Sequence, residues 1–239
     1  MGVKLINVTK IFTDQSNPDK KVVAVNNVSL EVNDGELVSF LGPSGCGKTT
    51  LLHMLGGLLQ PTGGRILIDG VDIAGLTDAE RTAVRRKKIG YVFQRYNLLP
   101  TLTARGNIEL AKKIHGDNGI EHPIGSSKIF EMLGLSGKED SRPLELSGGE
   151  QQRVAIARAV INKPSIILAD EPTGSLDSRN SRIVLEMLRN LNERLGQSIV
   201  IITHDADAAS TADRVIEMKD GRIIGPKSQL SFKPELDFY

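Results

Sequence analysis

The segment Gly42-Pro43-Ser44-Gly45-Cys46-Gly47-Lys48-Thr49 matches G-x-x-x-x-G-K-[ST] at every fixed position. Its glycines let the backbone curl so that several N–H groups point inward at phosphate oxygens. A helix beginning near Lys48 would add the positive end of its dipole. Lys48 can then reach the β- and γ-phosphates of a nucleotide, the Thr49 hydroxyl can ligate Mg²⁺, and Thr50 completes the binding set. Cys46 occupies a free position, where a small side chain that fits is a better reading than a catalytic thiol. A second concentration of chemistry is Asp170-Glu171, which closes the apolar run Ile166-Ile167-Leu168-Ala169. Asp170 suits Mg²⁺, directly or through water, and Glu171 could take a proton from an attacking water. Acids at strand ends are often turn formers, but beside a phosphate loop the functional reading prevails. The third segment is Leu146-Ser147-Gly148-Gly149-Glu150-Gln151-Gln152-Arg153. Ser147 can cap a helix whose first turn exposes backbone N–H groups, an anion site without a lysine. Taken alone, Ser147 and Glu150 are also an ordinary capping box.

These residues need rigid supports, and the sequence supplies strands alternating with helices, the pattern of an α/β layered fold. Leu37–Leu41 reads as a strand entering the glycine loop, and Thr49–Leu58 as the helix leaving it. Ser165–Ala169 and Ser198–Thr203 are continuous apolar strands, as expected when both faces of a sheet are covered. Short strands are expected at Lys4–Val8, Val22–Val25 and Val28–Val32, with Thr13–Lys21 as an exposed hairpin tip. Between Phe93 and Pro164 the pattern is helical, around Ala104–Ile114, Ser127–Leu133 and Glu150–Ile161. The expectation is one domain over 1–239. Its α/β core covers about 1–94 and 164–225, its helical insertion about 95–163, and a loosely packed tail 226–239.

Taken together the segments resemble the ABC ATPase family, from about Val3 to Gly225. The resemblance implies a P-loop NTPase core of RecA-like type, an antiparallel β subdomain and an inserted helical subdomain carrying the signature loop, Leu146 to Gln151. It implies that Gln94 touches Mg²⁺ and the membrane subunits, and that Thr173-Gly174-Ser175-Leu176-Asp177 is the dimer-contact loop. His204 corresponds to the switch histidine at the γ-phosphate, and Phe12 to the aromatic residue stacked on adenine. The signature of one subunit would close over ATP held by the P-loop of another, with Lys48, Glu171 and His204 as the catalytic set. Phe93 to Thr103, Leu52 to Gly57 and Arg142-Pro143 resemble the branch serving lipoprotein release, macrolide export and cell division.

Composition narrows the alternatives. The 239 residues carry a net charge of +1, which argues against a nucleic-acid partner. No run approaches the roughly 20 apolar residues of a membrane span, the start has no signal core, and one cysteine makes no internal disulfide. With the partner that the resemblance implies, a transmembrane permease subunit on a separate chain, the expectation is a cytoplasmic ATPase peripheral on the inner membrane face. A soluble iron–sulfur assembly ATPase of the same family is the alternative. A small-molecule kinase would share the phosphate loop but would not need Leu146–Glu150 or His204. His53, His115 and His122 share no metal-ligand spacing and read as structural or solvated. Met54, Met132, Met187 and Met218 read as core.

Overall fold

In chain order the computed structural model contains β1 (Val3–Thr13), β2 (Lys21–Val32), β3 (Leu37–Leu41), α1 (Lys48–Leu55), β4 (Gly63–Ile68), β5 (Val71–Asp72), α2 (Asp78–Lys88), β6 (Ile89–Val92), α3 (Ala104–His115), α4 (Ser126–Met132), α5 (Gly148–Val160), β7 (Ile166–Asp170), α6 (Ser178–Leu195), β8 (Ser198–Thr203), α7 (Ala206–Ser210), β9 (Arg214–Lys219) and β10 (Arg222–Lys227). It describes residues 2–14, 16, 17, 19–116 and 126–227. One sheet has the order β10-β9-β3-β8-β7-β6, parallel except for β10 on its edge. The other is antiparallel, β2-β1-β4-β5.

Successive side chains of a strand point to opposite faces, and each face of the larger sheet has its own core. Val38, Phe40, Leu168, Val200 and Ile202 face α1 and the antiparallel sheet, clustering with Leu51, Met54, Val8 and Ile66. Leu37, Ile167, Ala169, Ile199 and Ile201 face the other way, clustering with Ile108 of α3, Phe130 of α4, Ile156 of α5 and Leu188 of α6. Burial on both faces is why these strands are continuously apolar. It also places α1 and α5 on opposite sides of one sheet. This is the expected P-loop α/β architecture, with an antiparallel sheet on one side and, among the described residues between Phe93 and Pro164, helices and no strand.

Several elements differ from expectation. Val22–Val25 and Val28–Val32 are one strand, irregular where Asn27 takes a φ of 53°. The Asn27 N–H there donates to Thr9 Oγ1 at 3.0 Å, so a side chain keeps the ladder satisfied across the bulge. α1 stops at Leu55 rather than Leu58, because Gly56 caps it and Gly57 turns left-handed at φ 63°. α2 was not expected from an apolar stripe, having almost none, yet Thr77 and Glu80 form a full capping box at its start. β10 continues through Lys227, into the segment expected to be tail; proline is tolerated on such an edge strand. The rest of that tail, and His122, lie outside the described residues. Met54 and Met218 are in the core as expected, whereas Met132 at the end of α4 is 43% exposed.

The loop leading from Gln94 to α3 is held by one buried side chain. Asn107 Oδ1 accepts from the Leu99 N–H at 2.8 Å, and its Nδ2 donates to the carbonyl oxygens of Leu99 and Thr103 at 3.2 and 3.0 Å. Asn107→Ala would leave these groups unpaired, each a penalty of order 1–3 kcal/mol when it cannot reach water. The expected outcome is a lower urea midpoint with an unchanged m-value, equivalent to roughly 2 kcal/mol.

Candidate functional site

The chain leaves β3 at Leu41, turns through Gly42–Gly47 and enters α1. Gly47 has a φ of 102°, and a Cβ there would lie 2.1 Å from the Ala24 carbonyl oxygen, so only glycine fits. Pro43, Ser44 and Gly45 form the exposed tip of the loop, and Thr49 is also exposed, with Thr50 half-buried behind it. Lys48 is buried, and its Nζ donates to the carbonyl oxygens of Gly42 at 2.6 Å and Pro43 at 3.0 Å. Those bonds fix the ammonium beneath the loop. Cys46 packs into the apolar core, as its small size suggested.

Asp170, the last residue of β7, has the Thr49 side chain beside it. Glu171 follows at a φ of 43°, a conformation uncommon for non-glycine residues and concentrated at functional positions. Its Oε1 lies 3.0 Å from Nδ1 of His204, the residue just beyond β8. Gly174 lets Gln94 and Glu171 come together over the turn. A Cβ on Gly174 would lie 2.7 Å from Gln94 Nε2 and 3.3 Å from Glu171 Oε2. Thus Lys48, Thr49, Gln94, Asp170, Glu171 and His204 gather beyond the carboxyl ends of β3, β6, β7 and β8. Parallel sheets bind ligands there.

The other expected site residues lie elsewhere. Ser147 caps α5, with its Oγ accepting from the Glu150 N–H at 3.3 Å and Glu150 Oε2 accepting from the Ser147 N–H at 2.8 Å. That backbone hydrogen bond, with Lys138 nearby, holds the Glu150 carboxyl below its usual range. Asn180 lies against α5 at Gly149, and its backbone and amide N–H groups donate to Asp177 Oδ1 and Oδ2, each at 2.8 Å. Gly148, Gly149 and Asp177 are therefore neighbours. Gln152 Nε2 donates to the Pro172 carbonyl oxygen at 2.7 Å, tying α5 to the turn after Glu171. Phe12 is 42% exposed near the end of β1, beneath the Lys10 ammonium at 5.1 Å. Its strand partner is Val22, two residues from the Ala24 carbonyl that abuts Gly47.

Burial raises the Asp170 pKa most, and the neighbouring Glu171 charge adds to it; His53, Lys48 and the Thr49 hydroxyl pull the other way. His53 was read from the sequence as structural or solvated, yet it acts electrostatically on Asp170. Its position four residues after Thr49, on one face of α1, was the available signal. Arg158 was not singled out either; its guanidinium donates to the Tyr96 carbonyl oxygen at 2.8 Å and secures the loop after Gln94. Because Asp170 binds its proton more tightly folded than unfolded, stability falls as pH rises from the usual carboxylate range through the raised value. The cost is present above that raised value. Asp170→Asn should therefore raise the Tm of the nucleotide-free chain at pH 7, and the gain should shrink below pH 4 in differential scanning calorimetry.

Residues 25–174 match the family model described as ABC transporter. An uncharacterized ABC transporter ATP-binding protein of Thermotoga maritima is 44% identical over 93% of this chain and 94% of its own length. The macrolide export ATP-binding/permease protein MacB of Brucella melitensis is 43% identical over 93% of this chain, which spans only 34% of that protein. A solved dimeric structure of the cassette MJ0796, in a post-hydrolysis state bound to ADP and Pi, superposes with a TM-score of 0.85. It is 40% identical and covers 96% of this chain and 100% of that one; the curated protein of that name is from Methanocaldococcus jannaschii. With the phosphate loop, the acidic strand end and the capped α5 all in place, the chain belongs to the ABC transporter family, as one of its ATP-binding, ATP-hydrolysing cassettes.

Proposed function

We propose that two copies of this chain close around two ATP molecules and hydrolyse them to drive a transmembrane permease subunit. The carrying observation is the position of the two anion-binding termini on opposite faces of one sheet, α1 on one core and α5 on the other. On this reading Ser147 serves the phosphate loop of a second copy rather than that of its own chain. The dimeric MJ0796 structures are consistent with such a pair.

Within each site Lys48 would neutralise the β- and γ-phosphates, and Gly42 to Thr50 would surround them with N–H groups. The Thr49 hydroxyl beside the Asp170 carboxylate is a pair of hard oxygen donors that fits Mg²⁺, with Gln94 as the third contact. Held by these residues, Mg²⁺ would supply positive charge to offset that of the phosphates. Glu171 would take the proton of the attacking water, while His204, already hydrogen-bonded to it, would hold the γ-phosphate side. Phe12 would stack on adenine. From the second copy, Ser147, Gly148, Gly149 and Glu150 would present the α5 N-terminus, and Asp177 would make contact across the pair. The helical insertion, about 95–163, would carry that signature.

No helix among the described residues is long and apolar enough to cross a membrane. A chain with this role would sit on the cytoplasmic face through its partner. The MacB relatives join an ATP-binding part to a permease, which favours an exporter or extractor of lipoprotein, peptide or drug type over iron–sulfur assembly.

Glu171→Gln keeps the shape of the side chain but removes the base, typically a loss of about 10²–10⁴ in rate. Bound, uncleaved ATP should then hold the closed pair. Size-exclusion chromatography in ATP and Mg²⁺ should give a dimer for Glu171→Gln and a monomer for Asp170→Asn. A Glu171→Gln chain that stays monomeric and hydrolyses ATP at the parent rate would place the base elsewhere.

A further inference from the structure

The loop after Gln94 brings one more side chain to the α5 terminus. Tyr96 and Asn97 take φ of 58° and 50°, a left-handed run that bulky residues seldom adopt. Arg158, on α5 itself, holds the run in place by donating to the carbonyl oxygens of Tyr96 and Asn97. The Tyr96 ring then lies against the first turn of that helix, where a Cβ on Gly148 would come 2.8 Å from Tyr96 Oη. Helical Cα–Cβ bonds tilt toward the N-terminus. The hydroxyl therefore stands at the same end of α5 as the Ser147 cap and the first-turn N–H groups.

That hydroxyl has no hydrogen-bond partner among the described residues, and it is not sealed from solvent. Partial burial of the side chain raises its pKa, so it keeps its proton at neutral pH and can donate. Filling the space beside Gly148 needs only a ring, which phenylalanine would supply equally well. A hydroxyl taken partly out of water without a partner is unfavourable. The left-handed backbone points the same way, since bulky residues held in that conformation concentrate at functional positions. Strain and unpaired donor have one explanation: the hydroxyl acquires its partner in the assembled state, from the anion that the α5 terminus serves.

We propose that Tyr96 is a further ATP-binding residue acting across the pair. Its hydroxyl donates a hydrogen bond to the triphosphate held by the phosphate loop of the second copy, beside the N–H groups of Gly148 and Gly149. This rests on the two-copy reading above. It adds a donor from the loop that also carries Gln94, so one short segment serves both nucleotides of the pair, its own through Gln94 and the other through Tyr96.

Tyr96→Phe in the Glu171→Gln chain tests the proposal, because it removes the donor and keeps the ring. A hydrogen bond to a charged group corresponds to about tenfold in affinity. The double variant should therefore need about tenfold more ATP than Glu171→Gln alone to form the pair in analytical ultracentrifugation. ATP binding by the separate chain, followed with a fluorescent nucleotide at protein concentrations too low for pairing, should be unchanged. A crystal structure of the Glu171→Gln pair with ATP and Mg²⁺ should place Tyr96 Oη about 2.5–3.0 Å from a triphosphate oxygen of the nucleotide held by the other copy. An unchanged ATP requirement for pairing, weaker binding by the separate chain, or a hydroxyl bonded only to protein or water in that structure would overturn the inference while leaving the two-copy reading standing. A Glu171→Gln chain that never pairs in ATP would overturn both.

Discussion

The larger sheet is covered on both faces by separate cores, and the placing of α1 in one and α5 in the other is the constraint on which the proposed mechanism depends. α1 carries the lysine and the phosphate loop into the core shared with the antiparallel sheet. α5 carries its capped N-terminus on the helical side. The alternation of Val38 and Phe40 against Leu37, and of Leu168 against Ile167 and Ala169, produces this separation directly from the two-residue period of a strand. Each terminus offers N–H groups to an anion, and neither is sufficient to enclose a triphosphate. This layering is the basis of the proposal that a second copy completes the site.

The same layering makes a costly site tolerable. Asp170 is half-buried where its charge is disfavoured, and Glu171 holds a backbone conformation that side chains rarely adopt. Both sit at the end of a strand whose other residues are fully buried between two cores. Packing on either side fixes the strand, and the strand fixes the acids. The bond from Gln152 to the Pro172 carbonyl then links α5 to the turn that follows Glu171. A displacement of α5 by a second copy would thereby be felt at the acid, and one of Gln94 would be felt there through Gly174.

Much of this was legible in the sequence because the chemistry is written in contiguous runs. Gly42 to Thr49, Asp170-Glu171 and Leu146 to Gln151 each sit at a strand end or helix start that apolar periodicity also marks. Less visible were features that depend on distant pairing. β1 and β2 continue through irregular stretches where turn residues such as Asn27 interrupt the one-dimensional pattern. α2 has a capping box but almost no apolar face, so periodicity is silent about it. The influence of His53 on Asp170, and the grip of Asn107 on the Leu99 loop, join residues whose relation exists only after α1 and α3 are packed. The exposure of Met132 likewise reflects where α4 ends, which its composition does not state.

The central claim is that each working site takes its phosphate loop from one copy and its α5 terminus from another. Mixing two inactive variants, Lys48→Ala and Ser147→Arg, measures this directly. Each pure variant has a defect in both sites of its pair, whereas a mixed pair contains one site with neither defect. The account predicts that the mixture hydrolyses ATP well above either variant alone, at protein concentrations where pairs form. Activity equal to the mean of the two separate variants, with mixed pairs demonstrably present, would contradict it.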